Sequence, residues 1–161
     1  MLLACKQHKA LKPLGETVAP ADSAYKKQFL VDTNIIAIFP TDKCHRCLPG
    51  NVTSFNLTNN DLQTTEDILL RCITNHNNKQ DSTKEFSEYI DLKKYKRQYI
   101  PFVNAKGERK VYVNCFCNAG WNFNDWKNTV VLVDDGGSCF FRVVINLTTL
   151  EFEDFGTNGY G

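Results

Sequence analysis

No stretch of the 161 residues approaches the roughly eighteen consecutive apolar side chains that a membrane-spanning helix requires. Net charge is equally scarce. The 19 lysines and arginines stand against 18 aspartates and glutamates, and the formal +1 is too small to hold a polyanion by bulk attraction. Nucleic acid is therefore not an expected partner, and an acidic membrane surface is not one either. Histidine is limited to His8, His45 and His76. None has a nucleophile and an orienting group beside it in the sequence, so all three read as surface or packing residues. No cofactor is expected.

What is present is the composition of a packed domain. Hydrophobic residues make up 42% of the chain and charged ones 23%, which removes any disorder signature and leaves enough apolar surface for one core. Residues 1–27 read differently from the rest. Between Lys6 and Lys27 the chain is polar, contains Pro13, Gly15 and Pro20, and carries five lysines against Glu16 and Asp22, as a flexible tether does. Residues 28–161 read as a single α+β domain.

Gln28 to Pro40 contains a β-branched and apolar run suited to a strand, and a short strand is expected at Ser54 to Leu57. From Asn60 to His76 the period is helical. Leu62, Thr65, Ile68, Leu69, Cys72, Ile73 and His76 recur at three and four spacing, with Asn59 or Asn60 as the expected cap and Asn77-Asn78 as the end. Lys79 to Tyr89 reads as a polar surface loop. Beyond Lys94 the pattern alternates. Tyr95 to Val103 and Arg109 to Asn118 flank the hairpin signal Asn104-Ala105-Lys106-Gly107, and Thr129 to Val133 and Cys139 to Leu147 flank Asp134-Asp135-Gly136-Gly137-Ser138. Leu150 to Phe155 closes the series. The expected architecture is one main helix packed on a curved antiparallel meander sheet of four to five strands, because neither element buries its apolar face alone. Pro101 and the cluster Lys93-Lys94-Tyr95-Lys96-Arg97 mark Tyr95 to Val103 as an edge strand, since lysines and proline discourage pairing with a second chain.

The candidate chemistry lies in the cysteines. Setting Cys5 aside leaves Cys44, Cys47, Cys72, Cys115, Cys117 and Cys139, an even set able to form disulfides. Cys44-His45-Arg46-Cys47 has the spacing that brings two sulfurs within reach of one bond or one metal, and Leu48-Pro49-Gly50 directly after it favours a structural disulfide over a redox helix. A weaker alternative is a four-thiolate zinc site from Cys44, Cys47, Cys115 and Cys117. Cys115 and Cys117 share a strand face, so a bond from one of them to Cys72 or Cys139 is easier than a bond between them. In a reducing compartment all would remain thiols. The candidate binding segment is Asn118 to Asn128, where Trp121, Phe123 and Trp126 sit among amides. Flat rings beside amides suit sugar or peptide recognition, and the same rings equally make a minicore over a sheet edge.

Three resemblances follow from these residues. Leu2-Leu3-Ala4-Cys5 resembles the lipobox at which bacterial signal peptides are cut and the cysteine is lipidated. Together with the run from Val111 to Gly159, it makes the chain similar to small exported bacterial lipoproteins of uncharacterised function. That likeness implies lipidation at Cys5, a place in the bacterial cell envelope, membrane attachment only through the lipid, and a partner that is a protein, peptide or glycan. The β-α-β-β-β-β order over residues 52–156 resembles the cystatin-like architecture. The Gln-x-Val-x-Gly loop of cystatins is absent, so protease inhibition is not implied. Phe29-Leu30-Val31-Asp32-Thr33-Asn34-Ile35-Ile36 looks like the opening strand of PIN-domain ribonucleases. This implies a second reading, a metal-dependent nuclease using Asp32 with Glu66 and Asp134 or Asp135.

Overall fold

The computed structural model describes residues 32–80, 88–117 and 123–160. Cys5, the expected tether and Trp121 lie outside the described residues. The elements run β1 (Ile36–Ile38), β2 (Thr53–Ser54), α1 (Asn59–Asn77), β3 (Tyr95–Val103), β4 (Arg109–Cys117), β5 (Phe140–Asn146) and β6 (Glu151–Thr157). They form an α+β fold of one helix on an open, mixed, six-stranded sheet.

The apolar stripe read from the sequence is the buried face of α1: Leu62, Thr65, Ile68, Leu69, Cys72 and Ile73 all point inward. The helix starts one residue earlier than expected, and its cap is neither Asn59 nor Asn60. Thr58 Oγ1 accepts the Asp61 amide at 3.1 Å while Asp61 Oδ2 accepts the Thr58 amide at 2.9 Å, a reciprocal capping box. Arg109 Nη2 on β4 donates to the same Asp61 oxygen at 2.8 Å, which ties the start of the helix to the sheet. At the other end the Asn77 side chain clasps Ile90, donating to its carbonyl at 2.8 Å and accepting its amide at 2.9 Å. Burial opposes ionisation of Asp61, but the bonds from Arg109 and Thr58 outweigh it and hold its carboxyl below the usual range. A depressed folded-state value adds stability that is present above the unfolded value, 3.8, and lost as pH falls below it. Asp61→Asn is expected to cost about 1–2 kcal/mol at neutral pH. The difference from wild type should shrink in urea titrations run below that value, and an equal gap at both pH values would dismiss the account.

Strands β3 to β6 form the expected meander, with each neighbour antiparallel. The β3–β4 hairpin turns where read, with Gly107 at φ 79° and Asn104 Oδ1 accepting the amides of Lys106 and Glu108. Three expectations need correction. Strand β1 runs parallel to β3, with Ile36 opposite Arg97 and Ile38 opposite Tyr99, so the sheet is not a pure meander. The connection between them passes through α1. Strand β3 is consequently interior, not an edge. Its Pro101 falls in the gap between the β1 pairing, which ends at Tyr99, and the β2 pairing, which starts at Phe102, where a missing N–H costs the ladder least. Thr129 to Val133 forms no strand; it lies as extended chain over the sheet.

The third correction leads to the main surprise of the fold. The meander was expected to bury one face, but both faces are buried. The first carries α1 against Tyr99, Val111, Val113, Cys115, Val143 and Ile145. The second carries Ile100, Phe102, Tyr112, Phe116 and Phe140 under a layer with little regular structure, built from residues 37–52 and 123–133. At the outer edge β6 is blunted by a bulge, where Asp154 adopts φ 50° and the register shifts between Arg142 and Val144.

Candidate functional site

The second layer is held by one buried amide. Gln98 on β3 has no exposed surface, and its Nε2 donates to the carbonyls of Trp126 at 2.6 Å and Thr129 at 2.8 Å. Its Oε1 accepts the Val131 amide at 2.8 Å and Asn114 Nδ2 at 3.0 Å. Asn114, one strand over on β4, also donates to the Val131 carbonyl at 2.6 Å. A segment without a sheet of its own thus finds its backbone partners in two side chains of the sheet below it. Asp125 organises the adjoining turn. Its carboxylate accepts from Thr129 Oγ1 and Asn128 Nδ2, both at 2.7 Å, and these bonds lower its pKa.

Beside this layer, over β4, β5 and the end of β6, the second face stays uncovered. The result is a cavity of about 520 Å³. Its polar lining includes Arg46 from the turn closed by Cys44 and Cys47, Tyr112 and Asn114 from β4, Arg142 from β5, Asp134 from the segment after the covering layer, and Thr157 and Asn158 at the end of β6. Val131, Leu132 and Val133 supply one apolar wall. Asn158 holds the C-terminal side in place, its amide donating to the carbonyls of Val133 and Asp135. Gly137, at φ 56°, donates its N–H to the Gly159 carbonyl, and Tyr160 packs so closely on it that a β-carbon there would meet the ring at 2.3 Å.

Two cysteine pairs at disulfide distance frame this region. Cys44 and Cys47 have Cα atoms 5.3 Å apart and close the turn that presents Arg46. Cys117 and Cys139, with Cα atoms 5.0 Å apart, extend the β4–β5 register beyond Phe116 and Phe140. Cys139 is one of the two partners anticipated for a cysteine of this strand. Cys72 and Cys115 are buried thiols on the helix side of the sheet. Burial pushes the Cys72 thiol up to about 11 and raises Cys115 far above its ordinary value, so neither is a ready nucleophile. The zinc alternative is not assembled. Cys44 and Cys47 face each other on one side of the sheet, Cys115 lies on the other and Cys117 is paired with Cys139. Among the described residues no group of three or more His, Cys, Asp or Glu side chains is placed to hold a metal.

No family model matches the chain, and no curated protein or solved structure does either.

The aromatic candidates divide. Trp126 is only 6% exposed, with its ring edge-on to Phe116 and the ammonium groups of Lys96 and Lys127 within 5.0 and 5.6 Å of the ring centre. Phe123 packs edge-on to both Phe116 and Phe140. These two rings form the minicore of the second layer, and Trp121 is outside the described residues. The carboxylates offered to the nuclease reading are not brought together. Asp32 is exposed and shapes a turn, accepting the Asn34 amide at 2.9 Å. Glu66 is bound to Arg97 and Tyr99 on the helix side, and Asp134 lines the cavity on the opposite side. His76 packs on Phe155 and bonds the Glu88 carbonyl, while His45 is exposed in the cysteine turn.

Sequence reasoning missed Gln98, Asn114, Tyr112 and Arg142. A signal was available. The face of β4 away from Val111, Val113 and Cys115 alternates Tyr112, Asn114 and Phe116, and large aromatics there ask for a cover. A glutamine at the centre of an apolar strand likewise asks for partners.

Proposed function

We propose that this chain is an exported, lipid-anchored domain of the bacterial cell envelope that binds a partner or ligand in the cavity on the second face and performs no catalysis of its own. The observation that carries the reading is the two cysteine pairs at disulfide distance, one of which closes the turn presenting Arg46 to the cavity. Paired cysteines belong to oxidising compartments outside the cytoplasm, and they stiffen a site that has little regular structure to support it. The lipobox-like Leu2-Leu3-Ala4-Cys5 agrees with that compartment and supplies the anchor. The cavity offers guanidinium, phenol, carboxylate and apolar wall, a set suited to recognition. We also read the helix lying across the β3–β6 meander as a cystatin-like arrangement, to which the parallel β1 and the second layer are additions.

Intact mass spectrometry of the protein from its native host tests the compartment. The expected mass includes a diacylated Cys5. Without reductant, alkylation after denaturation is expected at Cys72 and Cys115 only, and with reductant also at Cys44, Cys47, Cys117 and Cys139. An unlipidated chain whose cysteines all alkylate without reductant would refute the exported reading.

A further inference from the structure

Three places in the fold were candidates for a ligand, and the open cavity on the second face carries the argument furthest. Its two guanidinium groups, from Arg46 and Arg142, have no carboxylate partner among the described residues, whereas the other described arginines, Arg71, Arg97 and Arg109, each have one. Independent of charge is Tyr112. This residue is only 7% exposed and lines the cavity, yet its hydroxyl makes no hydrogen bond to any described residue. The hydroxyl itself reaches solvent at the cavity that Arg46 and Arg142 also line, where it is free to donate to a ligand. Burial raises its pKa, against the pull of Arg142, so it keeps its proton at neutral pH and donates.

We propose that Arg46, Arg142 and the Tyr112 hydroxyl bind the terminal carboxylate of a peptide whose last side chain is apolar. This inference rests on the reading of the cavity as a binding site and adds the chemistry of its occupant. A carboxylate brings a negative charge and about four acceptor positions to two guanidinium groups and a phenol, where an amide or hydroxyl oxygen brings two positions and no charge. Leu132, half exposed at 52%, and Val133 flank the cations, giving the last side chain an apolar wall. Asp134 on the same rim is an acceptor for a peptide N–H, which a small inorganic anion does not carry. The volume, about 520 Å³, lies within the range of pockets that take small organic ligands, so it holds the end of a chain.

The test titrates the full chain with N-acetyl-Ala-Ala-Leu as free acid and as C-terminal amide, with glucuronate and with inorganic phosphate, followed by amide chemical shifts and calorimetry. The free acid is expected to shift the amides around Arg142 and Leu132 and to bind at least about tenfold more tightly than the amide. Arg46→Gln and Arg142→Gln should each weaken the acid about tenfold, and Tyr112→Phe several-fold, with unchanged melting temperatures. Equal binding of acid and amide, retained binding in the Arg46→Gln/Arg142→Gln double variant, or glucuronate or phosphate binding as tightly as the peptide acid overturns the proposal. If the amide shifts the cavity residues and the acid does not, the cavity remains a binding site and only the carboxylate assignment falls. If no probe shifts them, both fall.

Discussion

Replacing Gln98 with leucine is expected to destabilise the protein by about 4 kcal/mol, the largest effect of any single change away from the central apolar core. Leucine fills nearly the same space, so little of this comes from a cavity. The loss arises because the Trp126 and Thr129 carbonyls and the Val131 amide lose their partner at once, in a place that water reaches poorly. Each stranded group costs about 1–3 kcal/mol, and some relaxation of an irregular segment lowers the sum. Asn114→Leu, which removes one donor serving two acceptors, should cost less, about 2 kcal/mol. Urea unfolding followed by tryptophan fluorescence and by far-UV circular dichroism checks both. A Gln98→Leu variant within 1 kcal/mol of wild type would mean that the second layer does not depend on the amide. Because that layer walls the cavity, the peptide affinity proposed for the cavity should also fall in this variant before the helix is lost.

The second large effect concerns Glu66. Arg97 on β3 is 5% exposed, its Nε lies 3.5 Å from Glu66 Oε1, and its Nη2 donates to the Leu92 carbonyl at 3.2 Å. Its Nε and Nη1 have no hydrogen-bond partner among the described residues. The Tyr99 hydroxyl also donates to Glu66, and burial together with that carboxylate raises the Tyr99 pKa well above its ordinary value. Glu66→Gln removes the carboxylate that, among the described residues, balances a guanidinium unable to shed its proton. The expected cost is about 3 kcal/mol, at the lower end for a broken buried pair because Glu66 keeps some contact with solvent. Replacing both partners, Arg97→Met with Glu66→Met, should return stability to within about 1 kcal/mol of wild type, since a buried pair contributes little over apolar side chains of similar size. A double-mutant cycle measures this. If the double variant is less stable than Glu66→Gln alone, the pair is a net stabiliser and the account is wrong.

Much of the helix-side architecture is legible in the amino acids, for a physical reason. The stripe on α1 and the alternation in β3 to β6 are each written within one short window, and burial on that face selects them strongly. The capping box was legible too. Thr58 and Asp61 stand in the spacing that marks a helix start, and attention to the neighbouring asparagines hid it. The parallel pairing of β1 is of another kind, because three residues carry no local mark of strand direction. The covering layer is harder still. The Trp126 and Thr129 carbonyls and the Val131 backbone take their hydrogen bonds from Gln98 and Asn114, 28, 31, 33 and 17 positions apart in sequence, so no local period marks them. The same holds for the cavity, whose Arg46 and Arg142 are distant in sequence and line one space only because the second face is partly covered.

The Asn77 amide that clasps Ile90 ties the end of α1 to the chain that leads into β3. Ile90 belongs to the helix-side core and neither partner of the clasp lines the cavity, so Asn77→Ala is expected to loosen the end of α1 while leaving the cavity wall intact.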